Sequence, residues 1–333
     1  MPDDPGVRSE RPAGPDVSVI IPTYNRLWSL PDAIASCRDE RHRVEIIVVD
    51  DGSSDGTWEW LADQAGIRAF RQVNQGKVAA VNRGYELATG RFVRFLDSDD
   101  SLIVAPARDQ LDRALASDCD ICVASYTAVY QESGARIDHV WRDCGDFLAQ
   151  QLGECDSSHY SAYLFRREFL ADIRHRPEFS NRDDRMFVIE CAMKFPKVEG
   201  FAAPTFRHNH HAQDRIQFQP GSTAVVTDWQ ERRMWRQIVA RLDADGLLDP
   251  RRRLAMANNV WNLAKRTGAH FPNEGADLAR WLKQLAPDFV IPDEGFDRLY
   301  RRLGYGPAQG IVNAMRGGRN LARRLLRPLR VRQ

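Results

Sequence analysis

Acidic residues follow two apolar segments of this chain, at the point where each segment ends. Asp97-Ser98-Asp99-Asp100 comes directly after the apolar run Phe92–Leu96, and Asp50-Asp51-Gly52-Ser53 comes directly after Ile46–Val49. Carboxylates crowded at the end of a strand repel one another, and a divalent cation together with a phosphate group would relieve that repulsion. Because the carboxyl ends of parallel strands meet at one edge of an open sheet, we expect both turns to line one crevice.

The elements that position these turns are predicted by alternating strand and helix patterns between Val17 and Leu96. This alternation is typical of an α/β fold with a doubly wound, mostly parallel sheet and helices on both faces. The pattern predicts strands at Val17–Ile21, Glu45–Val49, Ile67–Arg71 and Phe92–Leu96, and helices at Trp28–Arg38, Thr57–Gln64, Val78–Ala88 and Ala105–Ser117.

Composition divides the chain into four segments. Residues 1–16 are rich in Pro, Asp and Gly and lack an apolar segment, so they predict a disordered lead-in rather than a signal peptide. Residues 17–220 form the predicted α/β domain, residues 221–315 a helical C-terminal region, and residues 316–333 a basic amphipathic tail. The apolar anchors expected in the helical region are Trp229, Trp235, Leu242, Trp261 and Leu263.

The overall composition excludes several classes of protein. The 333 residues carry a formal net charge of +1, so no global field would attract nucleic acid, and we expect no nucleic-acid partner. No apolar run approaches the roughly 20 residues that a membrane helix needs. Cys119 and Cys122 form a C-x-x-C without a second pair, so we expect reduced thiols in a cytoplasmic protein rather than a metal or redox site.

Taken together and in order, five motifs resemble glycosyltransferase family 2, the inverting class with a GT-A fold. Each motif is weak alone, but the ordered set is specific. The resemblance covers about residues 17–216, with a nucleotide-sugar half at 17–104 and an acceptor half at 105–220. The motifs are Val19-Ile20-Ile21-Pro22-Thr23-Tyr24-Asn25, Glu45-Ile46-Ile47-Val48-Val49-Asp50-Asp51-Gly52-Ser53, Asn74-Gln75-Gly76, Asn82-Arg83-Gly84 and Gly90-Arg91-Phe92 with Phe95-Leu96-Asp97-Ser98-Asp99-Asp100.

The resemblance implies a donor site for a nucleotide-diphosphate sugar, with a UDP-sugar as the expected donor and Mn²⁺ or Mg²⁺ as the cofactor. Asp99 is then the main metal ligand, Asp97 contacts the metal or the donor ribose, and Asp100 orders the turn. The resemblance also places Asp51 at the nucleobase and Thr23 at the base or ribose.

Two cations of one predicted helix, Lys77 and Arg83, are candidates for contacts to the donor phosphates. An ordinary role as charges on a helix surface stays open for both. The chain departs from many relatives in having Val81 where they carry Arg before the Asn of the fourth motif, so its phosphate contacts are not fixed by the resemblance.

In the acceptor half, the pair Asp183-Asp184 matches the position where the family places two carboxylates at the start of a helix. The resemblance implies that Asp184 is the general base, which takes the proton of the acceptor hydroxyl. The alternative is that both carboxylates only stabilise a helix N-terminus.

A histidine cluster lies at Arg207-His208-Asn209-His210-His211. By the same resemblance His211 reaches the metal, with His210 as the second candidate. Zinc binding by this cluster is disfavoured, because neighbouring residues on a strand point to opposite faces.

The expected activity is transfer of a sugar from a UDP-sugar to an acceptor hydroxyl with a β-linkage, in the assembly of a surface polysaccharide or glycolipid. The acceptor would be a glycan or a lipid-linked glycan. The basic tail could bind an anionic membrane surface, which would place the protein at the inner face of the membrane. Two alternatives stay open: a nucleotidyltransferase, and a non-catalytic member that binds sugar nucleotides or acts as a scaffold.

Overall fold

The computed structural model describes residues 14–212 and 222–325, with the side chains of 222–224 and 316–325 left out of that description. The described residues form two compact units. The first consists of residues 14–143 and 158–212, and the second of residues 144–157 and 222–325. The predicted tail therefore lies outside the described side chains, and the predicted segment boundaries stay a prediction.

Nine strands in the first unit form one sheet. They are β1 (Val17–Thr23), β2 (Val44–Asp50), β3 (Arg68–Arg71), β4 (Phe92–Phe95), β5 (Ser101–Leu102), β6 (Ile121–Tyr130), β7 (Arg136–His139), β8 (Tyr163–Arg166) and β9 (Val198–His210). Their order is β3-β2-β1-β4-β8-β6-β9-β5, and β7 pairs with β6.

The sheet is mostly parallel, as the sequence predicts. Strands β1 to β4 pair in parallel, β8 is antiparallel to both β4 and β6, and β6 pairs in parallel with β9. Consequently β1, β2, β3, β4, β6 and β9 run in one direction, and β5, β7 and β8 run in the other. Since β4 and β6 share a direction, the turn after β4 lies at the same edge as the carboxyl ends of β6 and β9.

Eleven helices lie in the described residues. They are α1 (Leu30–Ser36), α2 (Thr57–Ala62), α3 (Lys77–Leu87), α4 (Val104–Ala116), α5 (Phe147–Leu152), α6 (Asp183–Ala192), α7 (Ser222–Ala244), α8 (Pro250–His270), α9 (Pro272–Leu285), α10 (Glu294–Leu303) and α11 (Tyr305–Leu325). Helices α1, α2 and α4 pack on the face of the sheet that carries Val19 and Val48. Helix α3 packs on the opposite face, so the sheet is doubly wound.

Two glycines of the sequence motifs allow this close packing. A Cβ on Gly84 of α3 would lie 2.4 Å from Ile20 Cγ2 of β1, and a Cβ on Gly90 would lie 2.5 Å from the backbone nitrogen of Ser18. Both distances are shorter than atoms tolerate, so a glycine at each position lets α3 and the start of β4 approach β1. The motifs thus encode packing as well as chemistry.

The second unit consists of helix α5 and helices α7 to α11. Trp235 and Trp261 are fully buried there, as predicted, whereas Trp229 is 62% exposed, and its prediction as an anchor is wrong. Cys144 and Cys155 are bonded to each other across α5, and Cys119 and Cys122 are free thiols. None of the helices described in either unit has the length and apolar character of a membrane span.

Candidate active site

The acidic turn after β4 forms the centre of the site. Carboxylate oxygens of Asp97, Asp99 and Asp100 all lie within 4.8 Å of one another. Strand β9 holds this turn in place, because the backbone N–H of Asn209 donates to Asp100 Oδ1 at 2.8 Å and its side-chain amide donates to the Asp99 carbonyl at 2.9 Å. Strand β5, which directly follows the turn, also pairs with β9 through Ser101 and Arg207, so the turn is held beside the end of β9.

His211, directly after β9, completes this group. Its Nε2 lies 2.9 Å from Asp99 Oδ2 and its side chain is buried, with Trp28 packed edge-on against the ring. Its Nδ1 is buried without a hydrogen-bond partner among the described residues. Crowded carboxylates with an adjacent imidazole are a donor set that suits Mn²⁺ or Mg²⁺, so the residues present fit the expected cofactor.

Lys77, the first residue of α3, faces these carboxylates. Its Nζ lies 2.6 Å from Asp97 Oδ1. Burial lowers the pKa of Lys77, but attraction by Asp97, Asp183 and Asp184 outweighs burial and raises it above its ordinary value. Burial likewise raises the pKa of Asp97, and the Lys77 ammonium more than offsets this and holds that pKa below its usual range. Both groups are therefore charged at neutral pH.

Asp184 lies in the first turn of α6, and its Oδ1 accepts a hydrogen bond from the Arg185 N–H at 2.7 Å. Burial raises the pKa of Asp184, and the negative charge of Asp183 raises it further, while Lys77 opposes both effects. A carboxylate with a raised pKa has the proton affinity that a general base needs.

A buried chain of hydrogen bonds holds the neighbouring Asp183. His175 Nδ1 lies 3.0 Å from Asp183 Oδ2, and His175 Nε2 lies 2.5 Å from the hydroxyl of Tyr160. The side-chain amide of Asn82 donates to the His175 carbonyl at 2.9 Å and accepts from the His175 backbone N–H at 3.0 Å, which fixes the His175 backbone. Burial raises the pKa of Tyr160 well above its ordinary value, so its O–H stays protonated and donates to Nε2, and the ring proton on Nδ1 donates to Asp183.

The predicted nucleotide contacts lie at the ends of β1 and β2. The Asp51 carboxylate accepts hydrogen bonds from the Gln75 N–H, the Gly76 N–H and the Gln72 side chain at 2.8–2.9 Å. A carboxylate has about four lone-pair sites, so one site is left for a nucleobase N–H. The Thr23 hydroxyl is buried without a hydrogen-bond partner among the described residues, which suits a group that meets a ligand.

Arg83 does not join these residues. Its guanidinium pairs with Glu86 at 3.3 Å on the exposed side of α3, with half of each side chain exposed. The surface role that the sequence left open for this residue is the one that the structure favours. Its role as a phosphate contact stays untested.

Sequence reasoning missed two residues that the fold brings to this edge. His159 lies near Asp100 together with His208, a member of the histidine cluster already noted in the sequence, and His175 supports Asp183. The sequence held no signal for His159, because Asp100 is dozens of residues away, or for His175, because a single histidine eight residues before an acidic pair forms no pattern. Asn82 had a signal, since it belongs to a recognised motif.

Comparison with known proteins agrees with this geometry. Residues 18–174 match the model of the family described as Glycosyl transferase family 2. Residues 18–174, just under half of the chain, therefore form a segment of the glycosyltransferase family 2 type. The match covers the strands and turns that carry Asp51, Asp97 and Asp99, and it ends before Asp184.

Curated relatives of this chain include two proteins of one bacterium. EpsH of Bacillus subtilis strain 168, named as a glycosyltransferase, is 30% identical over 156 residues, which is 45% of this chain and 43% of EpsH. TuaG of the same strain, named for teichuronic acid biosynthesis, is 35% identical over 124 residues, which is 35% of this chain and 49% of TuaG. The matched part therefore spans less than half the length of these relatives.

Solved structures share the fold along more of the chain. Residues 1–349 of S. aureus TarS in complex with UDP-GlcNAc superpose with a TM-score of 0.54 at 15% identity, covering 91% of this chain and 92% of that one. The complex of TarS with UDP gives a TM-score of 0.52 over the same coverage. At this identity the likeness establishes the GT-A type fold.

Proposed function

We propose that this chain is a glycosyltransferase that moves a sugar from a UDP-sugar to an acceptor hydroxyl in one displacement that inverts the anomeric centre and gives a β-linkage. The family match supports glycosyl transfer. TarS, the solved structure with the same fold, carries UDP or UDP-GlcNAc in its complexes, which favours a uridine donor here.

In this proposal Asp99, Asp97 and His211 hold the divalent cation, Mn²⁺ or Mg²⁺. The cation would neutralise the charge that develops on the departing diphosphate. Asp51 and Thr23 bind the nucleoside, and the spare lone pair of Asp51 accepts the base N–H.

Asp184 takes the proton of the acceptor hydroxyl as that oxygen attacks the anomeric carbon. Burial and the adjacent Asp183 both raise its pKa, which supports this role. The His175 N–H holds Asp183 through its Oδ2, whereas Asp184 accepts from the Arg185 N–H through its Oδ1, so we assign the base to Asp184.

The observation that carries the proposal is the position of Lys77. Its ammonium contacts Asp97, which is expected at the donor, and is attracted by Asp183 and Asp184, which are expected at the acceptor. Both pairs of carboxylates therefore lie within electrostatic reach of one ammonium, which supports a donor and an acceptor meeting at this place.

The test uses the full chain with single UDP-sugars, each with Mn²⁺, with Mg²⁺ or with EDTA. We expect a metal-dependent rise in melting temperature with one UDP-sugar, followed by release of UDP when an acceptor glycan is added. Asp99→Asn should lose the metal-dependent shift, and Asp184→Asn should keep the shift and lose transfer. Asp172→Asn, at an exposed carboxylate paired with Lys194, is the matched control and should behave as wild type.

Each alternative has its own signature in the same experiment. Release of pyrophosphate from a nucleoside triphosphate would indicate a nucleotidyltransferase. Binding of UDP-sugar without transfer to any glycan would indicate a non-catalytic member. A shift that persists in Asp99→Asn would contradict the metal assignment.

The acceptor belongs to the proposal as well. TuaG is named for teichuronic acid biosynthesis, which favours a surface polysaccharide or a lipid-linked glycan as the acceptor.

We also propose that residues 316–333 bind the inner face of an anionic membrane. Seven arginines in this segment are interspersed with leucines, and no acidic residue lies among them. Flotation with anionic liposomes, with and without these residues, tests this contact; equal flotation would contradict it.

A further inference from the structure

A second group of metal-ligating side chains lies beside the acidic turn. One ligand atom each of Asp100, His159 and His208 lies within 4.8 Å of the other two. Asp100 follows β4, His159 precedes the 3-10 turn at Tyr160–Ala162, and His208 lies on β9. Ligands drawn from three separate elements are typical of built metal sites rather than of neighbours along one strand.

The fold holds each member of this group. The Asn209 N–H donates to Asp100 Oδ1, so that carboxylate is fixed. The rings of His159 and His208 have centroids 4.5 Å apart, and Phe206 packs on His159 at 4.9 Å. All three residues are buried or partly buried, which limits how far they can turn away.

A third imidazole borders this group, because the ring of His210 lies 4.4 Å from that of His208. The Ser161 N–H donates to His159 Nδ1 at 3.3 Å, a long hydrogen bond that a metal or a change of tautomer can displace at low cost.

We propose that Asp100, His159 and His208 form a second cation site, which takes Zn²⁺ or a similar transition-metal ion. Two imidazoles and one carboxylate suit such ions, whereas Mg²⁺ prefers oxygen ligands. Metal–ligand distances of about 2.0–2.2 Å require the ligand atoms to close in by a small side-chain rotation. Three protein ligands leave a coordination position open to water.

The site goes beyond the proposed transfer reaction, but the two sites meet at Asp100. That carboxylate belongs both to the group with Asp97 and Asp99 and to the group with the histidines. Zinc bound there would compete for Asp100 and place a second positive charge near the donor metal. We therefore expect Zn²⁺ to weaken Mn²⁺ binding.

Cobalt absorption tests the site without reference to activity. Untagged full-length protein, stripped of metal with a chelator, is titrated with Co²⁺. Four- or five-coordinate Co²⁺ with nitrogen ligands absorbs visible light far more strongly than six-coordinate Co²⁺ among oxygens. We expect one such ion per chain, displaced by one equivalent of Zn²⁺ and not by a large excess of Mg²⁺.

Variants assign the signal to its ligands. His159→Gln and His208→Gln should lose the strong absorption, and Asp99→Asn should keep it. His139→Gln is the matched control, because His139 lies on the neighbouring strand β7 and outside the group. Circular dichroism confirms that each variant folds.

Three results would overturn the proposal. The first is that the strong Co²⁺ absorption survives in both His159→Gln and His208→Gln. The second is that the absorption disappears in Asp99→Asn. The last is that excess Mg²⁺ displaces Co²⁺ from the wild-type protein. The last result needs no variant, so it decides the matter even if a substituted protein fails to fold. None of them bears on whether the chain transfers a sugar.

Discussion

Replacing His175 by Phe should lower the free energy of unfolding, because it removes the buried hydrogen bonds of His175 with Tyr160 and Asp183. The side chains of His175 and Asp183 are only 1% and 6% exposed, so water cannot replace the lost partner. Loss of an N–H bonded to a carboxylate costs about 1.5–3 kcal/mol, and the stranded Tyr160 hydroxyl adds about 1–3 kcal/mol. The new ring can still stack on Phe187, which lies parallel to His175 at 4.2 Å, so packing changes little.

Urea unfolding of four proteins measures this effect: wild type, His175→Phe, Tyr160→Phe and the double variant. We expect about 3–5 kcal/mol for His175→Phe and about 1 kcal/mol for Tyr160→Phe. The double variant should cost about 1–2 kcal/mol less than the sum, because no hydroxyl is then stranded. If the two single losses add within about 0.5 kcal/mol, the hydrogen bond between the two rings does not contribute as described.

Three further predictions follow from the charges and packing of the site. Asp184→Asn should lower kcat by about 10²–10⁴-fold. Because the folded protein raises the pKa of Asp184, the wild type loses stability as pH rises from the ordinary pKa of an Asp carboxyl to the raised one. The variant should therefore melt at a higher temperature than wild type at pH 7 and at the same temperature near pH 3. Equal melting at both pH values would contradict the burial argument. Lys77→Met removes the charge that lowers the pKa of Asp184, so the acidic limb of the pH profile of kcat should move to higher pH, and an unmoved limb would mean that Asp184 is not the base. Gly84→Ala should cost about 1–3 kcal/mol in urea unfolding because its Cβ meets Ile20, whereas Gly306→Ala, where a Cβ meets nothing, is the control.

The sequence predicted the nucleotide-sugar half of the fold closely. Apolar runs marked β1, β2 and β4, and acidic turns marked the ends of β2 and β4, because both the burial of a strand and the charge of the turn after it leave a signature in residue type. The observed strands differ from the predicted ones by one or two residues at their ends.

The two cations of α3 show where sequence reasoning stopped. Lys77 and Arg83 were equal candidates, yet only Lys77 reaches the carboxylates. Six residues along a helix turn the side chain by about 600°, so the two residues point in different directions and could not both face the same phosphate. The pattern therefore indicated that the two cations differ in role, and the phosphate contact predicted for each stays a prediction.

The histidines show what a sequence alone does not hold. Asp100, His159 and His208 are separated by about fifty residues at each step, and Asp100 meets His208 through the pairing of β5 with β9. Alternation along β9 correctly separates the side of Asn209 from that of His208 and His210. It could not supply the third ligand, which comes from a different segment.

The Asp51 carboxylate has a consequence for how this enzyme changes over evolution. This carboxylate accepts hydrogen bonds from the backbone N–H groups of Gln75 and Gly76, and the next residue along the chain is Lys77. The residue expected to read the nucleobase therefore also sets where the ammonium meets Asp97. A lineage that altered position 51 to accept another base would disturb the charge balance of the reaction centre in the same step. Changes of donor nucleotide should accordingly appear together with substitutions in the 72–77 segment, and rarely alone.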